Sequence, residues 1–182
     1  MQRMKVPTLF LVLLTNACSS YEVFAIRTQL WPGDVTRDVG IGEFAVSGAR
    51  RETQEDFPGA LAFALYERGF AVTEQPVIQE SMMSAGLPTD RLLVESEAGL
   101  LGRGFGGRLL LQGKLQETRT RDLLEDREQV LLEIEVLDVR LARNLGSIRT
   151  FATDLAGFGP RENLEMARRS ALQLDEMIGE VR

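Results

Sequence analysis

The chain has 182 residues, 44% hydrophobic and 26% charged, with 21 basic and 27 acidic side chains and a formal charge of −6, which is the composition of one globular domain. It contains no His and a single Cys, Cys18, and this excludes Ser-His-Asp and Cys-His nucleophiles, His-ligated zinc and an intrachain disulfide. The acidic balance argues against nucleic acid as a partner, because phosphate binding needs an excess of cations on at least one face.

At the amino terminus Arg3 and Lys5 precede an apolar run, Val6 to Leu14, which is followed by Thr15-Asn16-Ala17-Cys18. A short cationic segment, an apolar stretch and a small residue before a cleavage point make a secretory signal. Nine residues at ~1.5 Å rise do not cross a hydrocarbon core of ~30 Å, so a permanent transmembrane helix is disfavoured. Without residues 1–17 the chain has 19 basic and 27 acidic groups, a charge of −8.

Cys18 sits where that signal ends, and Leu14-Thr15-Asn16-Ala17-Cys18 resembles the lipobox of bacterial lipoproteins, with Thr15 where that family usually carries Leu. The resemblance implies that residues 1–17 are removed and that Cys18 is diacylated, anchoring the protein to a membrane. Each buried methylene then contributes ~0.8 kcal/mol, enough for stable attachment with two or three chains. Ser19 after the Cys resembles the outer-membrane default, which implies a domain facing the periplasm. An ordinary signal peptide with an incidental Cys stays open beside this reading.

Residues 18–37 show no sustained period and contain the turn signal Trp31-Pro32-Gly33-Asp34, so they are expected to be a lipidated Cys and a tether. Trp31, the only Trp, is expected to pack on the domain that follows, with an interfacial role as the alternative. From Asp38 the pattern turns regular. Val39 to Val46 predicts a strand ended by Ser47-Gly48. Phe57, Ala60, Leu61, Ala64 and Leu65 predict a helix over 57–68, capped by Asp56 and stopped by Gly69. Phe70 to Thr73 predicts a second strand, which completes a βαβ unit.

Pro76 to Ala85 predicts a short helix stopped by Gly86-Leu87-Pro88, and another runs from Thr89 or Asp90 to about Leu101. Gly102-Arg-Gly104-Phe-Gly-Gly107 satisfies GxGxxG in form. It follows a helix and precedes a strand, the reverse of the dinucleotide-binding context, so a helix stop and turn is expected. Arg108 to Thr118 and the alternating Val130, Leu132, Ile134 and Val136 predict two long half-buried strands joined through Arg119 to Glu128. Asn144-Leu-Gly146 reads as a hairpin turn into a third antiparallel strand, Ser147 to Thr153. The last helix carries the stripe Leu164, Ala167, Ala171, Leu174, Ile178 and Val181. The expected fold class is therefore α/β (α+β mixed): a single domain with a mixed sheet, a βαβ start, a carboxyl-terminal antiparallel three-strand meander and packed helices.

With this order of elements, residues 38–182 resemble the periplasmic α/β domain shared by the curli-secretion lipoprotein CsgG family, the penicillin-binding-protein activator LpoB and the amino-terminal domain of TolB. The resemblance is carried by Val39 to Ser47, by Leu65-Tyr-Glu-Arg-Gly-Phe-Ala-Val72, and by Leu109-Leu-Leu-Gln-Gly113 with Leu132 to Arg140. It implies a non-enzymatic envelope protein that binds another envelope protein, with no cofactor. The chain lacks the length for the transmembrane hairpins of a secretion channel, each strand of which needs about 9 to 11 residues. A homo-oligomeric ring remains a further expectation to test.

A rival class is a carboxylate- or metal-dependent hydrolase built on Glu133, Glu135 and Asp138, the tightest acidic cluster. The solvated face of a half-buried antiparallel strand explains the two glutamates without function, and that is the expectation. Arg119, Arg121 and Arg127 mix with Asp122, Glu125 and Asp126, as in a solvated loop or a docking edge. Phe105 and Met82-Met83 are expected in packing, and Arg168-Arg169 on the outer side of the last helix.

Overall fold

The computed structural model describes residues 20–28, 37–48, 51–102, 105–121, 126–155 and 159–179, with backbone alone at 51–56, 119–121, 126–127 and 154–155. In chain order these form β1 (Ser20–Arg27), β2 (Asp38–Ser47), α1 (Arg51–Tyr66), β3 (Ala71–Thr73), α2 (Gln75–Ser84), α3 (Glu95–Leu101), β4 (Leu109–Arg121), β5 (Asp126–Asp138), β6 (Arg143–Leu155) and α4 (Pro160–Gly179). The strands make one sheet in the order β1-β6-β5-β4-β2-β3. β2 is parallel to β3 and to β4, and the remaining neighbours are antiparallel. The molecule is a single mixed α/β domain with the expected βαβ start and carboxyl-terminal meander.

Strand alternation sends one set of side chains to each face. Val39 and Ile41 of β2, Leu109, Leu111 and Leu115 of β4, and Val130, Leu132, Ile134 and Val136 of β5 meet the apolar faces of α1 and α4 in the main core. The other face is covered at one end only. There Leu110 and Leu137 pack with Val139 under Ile78 and Met82 of α2 and Ala98 and Leu101 of α3.

The first departure from expectation is at the amino-terminal side. Ser20–Arg27, placed in a tether by the sequence reading, is an edge strand paired along its length with β6, from Ser20↔Thr153 to Arg27↔Gly146. Its Tyr21 and Val23 pack on the main core, while Phe24 and Ile26 lie on the other face and are 52% and 45% exposed. Apolar residues on both faces erase the alternation by which a strand is recognised. The described residues at the end of β1 and just before β2 contact the carboxyl-terminal half of α4 and the turn after α1. Arg27 Nη2 donates to the Met177 carbonyl at 2.9 Å, and Arg37 reaches the Arg68 carbonyl and Asp175. Trp31 lies outside the described residues.

Other boundaries shift for identifiable reasons. α1 begins at Arg51 instead of 57, because residues 51–56 suit a helix but add nothing to the apolar stripe; Asp56 is inside the helix and not its cap. α3 starts only at Glu95, preceded by extended Val94, because Leu93 is held by Gln112. That side chain accepts from Leu93 N and donates to Leu93 O, both at 2.8 Å. β4 and β5 pair out to Arg121↔Asp126, so most of the expected loop Arg119 to Glu128 is strand. The β5–β6 turn lies at 139–142, with Ala142 left-handed at φ 50°. Asn144-Leu-Gly146 instead forms a bulge inside β6. The pairing passes from Leu137↔Asn144 to Val136↔Gly146, and Asn144 Oδ1 accepts from Gly146 N at 2.7 Å. In α4 the buried stripe includes Met166 and Met177, while Leu164 is only half-buried. Val181 lies outside the described residues.

Candidate functional site

The structure divides the acidic cluster. Glu133 and Glu135 lie on the uncovered part of the second sheet face. Glu133 Oε1 accepts from Arg149 Nε and Nη2 of β6 at 2.8 and 2.7 Å, and it stands opposite Lys114 of β4. Glu135 accepts from Gln112 Nε2 at 3.1 Å. Opposite charges facing each other across strands are what an uncovered antiparallel face uses to remain soluble.

Asp138 is fully buried at the end of β5 and belongs to neither a pair nor a pocket with the two glutamates. Its Oδ2 accepts from Arg108 Nε at 3.0 Å, and its Oδ1 accepts from the backbone N–H groups of Arg140 and Leu141 at 2.9 and 3.0 Å. It therefore ties the start of β4 to the turn after β5. Among the described residues no group of three metal-ligating side chains converges.

The glycine-rich run has a packing role. Phe105 is buried against Gly40 of β2 and against Gly107. A Cβ on Gly40 would stand 2.6 Å from the Phe105 ring, and one on Gly107 would also collide with it. These glycines admit an aromatic ring where a phosphate loop would admit a ligand. Arg103 and Gly104 lie outside the described residues. Met82 is buried, whereas Met83 is 63% exposed. Arg168 makes a two-pronged contact with Glu67 at the end of α1, both arms 2.9 Å, and Arg169 bonds Glu165 and covers the Tyr21 ring at 4.8 Å. The Glu67 carboxyl is held below the usual range by the Arg168 hydrogen bond, while the Tyr21 hydroxyl is pushed up by burial and by Glu162 and Glu165.

What stands out on the surface is apolar and was not singled out by sequence. Phe24 of β1 meets Phe151 of β6 edge to face, centroids 6.0 Å apart. Beside them a shallow groove of about 160 Å³ runs over Leu131, Gln116, Thr118 and Gln129. By β3, at the other edge of the sheet, Pro58, Ala62, Phe63 and Tyr66 of α1 and Gln75 and Pro76 of α2 line a second groove of about 420 Å³. Tyr66 Oη donates to the outer carbonyl of Val72 at 3.1 Å, closing part of the β3 edge. No described helix is long and apolar enough to cross a membrane. Cys18, the one residue to which the sequence assigned a modification, lies outside the described residues.

No protein-family profile matches the chain, and no curated protein matches it in sequence. Solved structures do. The chain is similar to the PelC dodecamer from Paraburkholderia phytofirmans, with a TM-score of 0.56 and 14% identity over 83% of this chain and 95% of that one. It is also similar to lipoprotein GNA1162 from Neisseria meningitidis, with a TM-score of 0.55 and 14% identity over 76% of this chain and 98% of that one. The carboxyl-terminal domain of LpoB from Escherichia coli aligns at a TM-score of 0.46 and 15% identity over 63% of this chain and 80% of that one, a likeness too loose to argue from. At these identities the likeness is one of fold: a mixed α/β domain of a kind found in a solved lipoprotein.

Proposed function

We propose that the protein is a lipid-anchored envelope protein, attached through Cys18 to the outer membrane, whose domain acts in the periplasm as a non-enzymatic accessory or assembly factor for another envelope protein. The observation that carries this reading is the position of Cys18, at the end of a cationic and apolar leader and two residues before the first strand of the domain. The fold shared with lipoprotein GNA1162 supports it. So does the engagement of the carboxylates an acid-base mechanism would use: Glu133 with Arg149, Glu135 with Gln112, and Asp138 with Arg108. A carboxylate- or metal-dependent hydrolase has no comparable support.

The test is Cys18→Ala in the full chain. It should abolish labelling by a palmitate analogue and move the protein from the membrane pellet to the soluble fraction, with the domain's melting temperature unchanged, since Cys18 lies outside every periodic segment of the sequence. Persistent pelleting of the unlabelled variant refutes the anchor. A homo-oligomer is the second reading, favoured by the likeness to a dodecameric protein and by β1 standing at the sheet edge with Phe24 and Ile26 exposed. Light scattering of the lipid-free domain from residue 19 distinguishes it from a monomer.

A further inference from the structure

The strands place the anchor. β1, β4, β5 and β6 run alternately, so the start of β1, the end of β4, the start of β5 and the end of β6 share one end of the sheet. Ser20 is fixed there, opposite Thr153, and the two hydroxyls are hydrogen-bonded to each other. Across the sheet this level corresponds to Gln129 and Thr118, beyond which β4 and β5 continue to the pair Arg121↔Asp126. Three further residues carry that hairpin ~10 Å past Ser20 along the strand axis. Cys18 is two residues from Ser20, and two residues of chain span at most ~7 Å in any direction. The anchor therefore cannot lie beyond the hairpin.

From this we infer that the β4–β5 hairpin end of the sheet is the bilayer-facing end of the domain, held against the lipid headgroups. The inference rests on the acylation of Cys18 proposed above. With the strands upright on the bilayer, acyl chains leaving Cys18 enter the leaflet when the hairpin end comes down to the headgroup layer, which is roughly 6 Å deep on each side of the hydrocarbon core; a domain lying on its β1 edge would instead bring both ends of the strands equally near it. Ser20, Ser47, Gln116, Thr118 and Gln129 bring exposed hydroxyls and amides to that end, which exchange water for phosphate and glycerol oxygens, beside the carboxylates of Glu22 and Glu128. The β5–β6 turn at 139–142 points away from the membrane, about 13 strand residues distant, or ~44 Å.

The experiment uses the acylated full chain, purified from envelopes in detergent and returned to phosphatidylcholine–phosphatidylglycerol vesicles that carry a nitroxide on the headgroup. A fluorophore is placed at Thr118→Cys, at Gln129→Cys or, as the distal probe, at Leu141→Cys. All three positions are exposed, so folding should be unaffected, and intact mass reports the acyl chains on Cys18. Both hairpin probes should be quenched several-fold more than the probe at 141. Equal quenching of all three on acylated protein, or stronger quenching at 141, overturns the orientation and leaves the anchor standing. An intact mass without acyl chains overturns the anchor and the orientation with it.

Discussion

Replacing Asp138 by Ala should be among the most damaging single changes to this domain, although the residue sits in an acidic cluster that invites a functional reading. The ion pair it makes is buried, with side-chain exposures of 5% for Arg108 and 0% for Asp138. Removing one partner of a buried pair leaves the other charge desolvated, at a cost of ~3–5 kcal/mol. That is a large part of the ~5–15 kcal/mol that holds a typical domain together. At ~2–4 °C per kcal/mol for a chain of this size, the melting temperature should fall by roughly 6–20 °C.

Asp138→Asn should fall between wild type and Ala, because an amide oxygen still accepts from the N–H groups of Arg140 and Leu141 while the charge is gone. Glu133→Ala supplies the contrast. Its pair with Arg149 has side-chain exposures of 28% and 45%, so its loss should cost only ~0–1 kcal/mol. Urea unfolding of the domain from residue 19, followed by circular dichroism, measures all three. A loss below about 1 kcal/mol for Asp138→Ala, or an equal loss for Glu133→Ala, would refute the burial argument.

Gly113 lies in the middle of β4, and a Cβ there would run into the Glu133 carbonyl of β5. Gly113→Ala should therefore destabilise by ~1–3 kcal/mol through displaced strand pairing, read in the same urea titration. The Glu97 carboxyl is held below its ordinary range by hydrogen bonds from Arg91 and from the Val94 N–H that begins α3. A carboxyl depressed in the folded state stabilises above its unfolded pKa of ~4.3 and loses that contribution as pH falls through the folded value. The stability difference between wild type and Glu97→Gln should accordingly be present at pH 7 and shrink below about pH 4, and a difference independent of pH would contradict the pairing.

The elements legible in sequence are those whose apolar residues fall on one face. β2, α1, β3, β4 and β5 follow from periods of two or of three to four because one face of each meets the main core. β1 was hidden because its two faces are both apolar. A strand with Tyr21 and Val23 inward and Phe24 and Ile26 outward has no alternation to find. The bulge at Asn144-Leu-Gly146 was read as a turn because both structures favour the same residue types: a side chain that bonds the backbone two positions on, and a glycine free to take positive φ. The separation of Asp138 from Glu133 and Glu135 was present in the numbering, since odd and even positions of a strand face opposite ways. Its partner was not, because Arg108 is 30 residues distant and enters only when β4 and β5 pair.

Fold requirements account for some of the uncovered sheet face and leave the rest. An antiparallel sheet can leave one face to water if that face is polar, and Lys114, Glu133, Glu135 and Arg149 satisfy the condition in the middle of the face. Phe24, Ile26 and Phe151 do not. They are exposed together on the edge strand β1 and its neighbour β6, where shielding them from solvent would have needed another helix. Grouped exposed apolar side chains on a folded domain mark contact with another molecule more often than they mark packing. Under the anchor proposed at Cys18, two residues before Ser20, that face would stand beside the bilayer and not at the end of a long reach. A partner would then have to present its own surface within the ~44 Å height of the strands, as a membrane-bound or membrane-embedded protein would under that proposal.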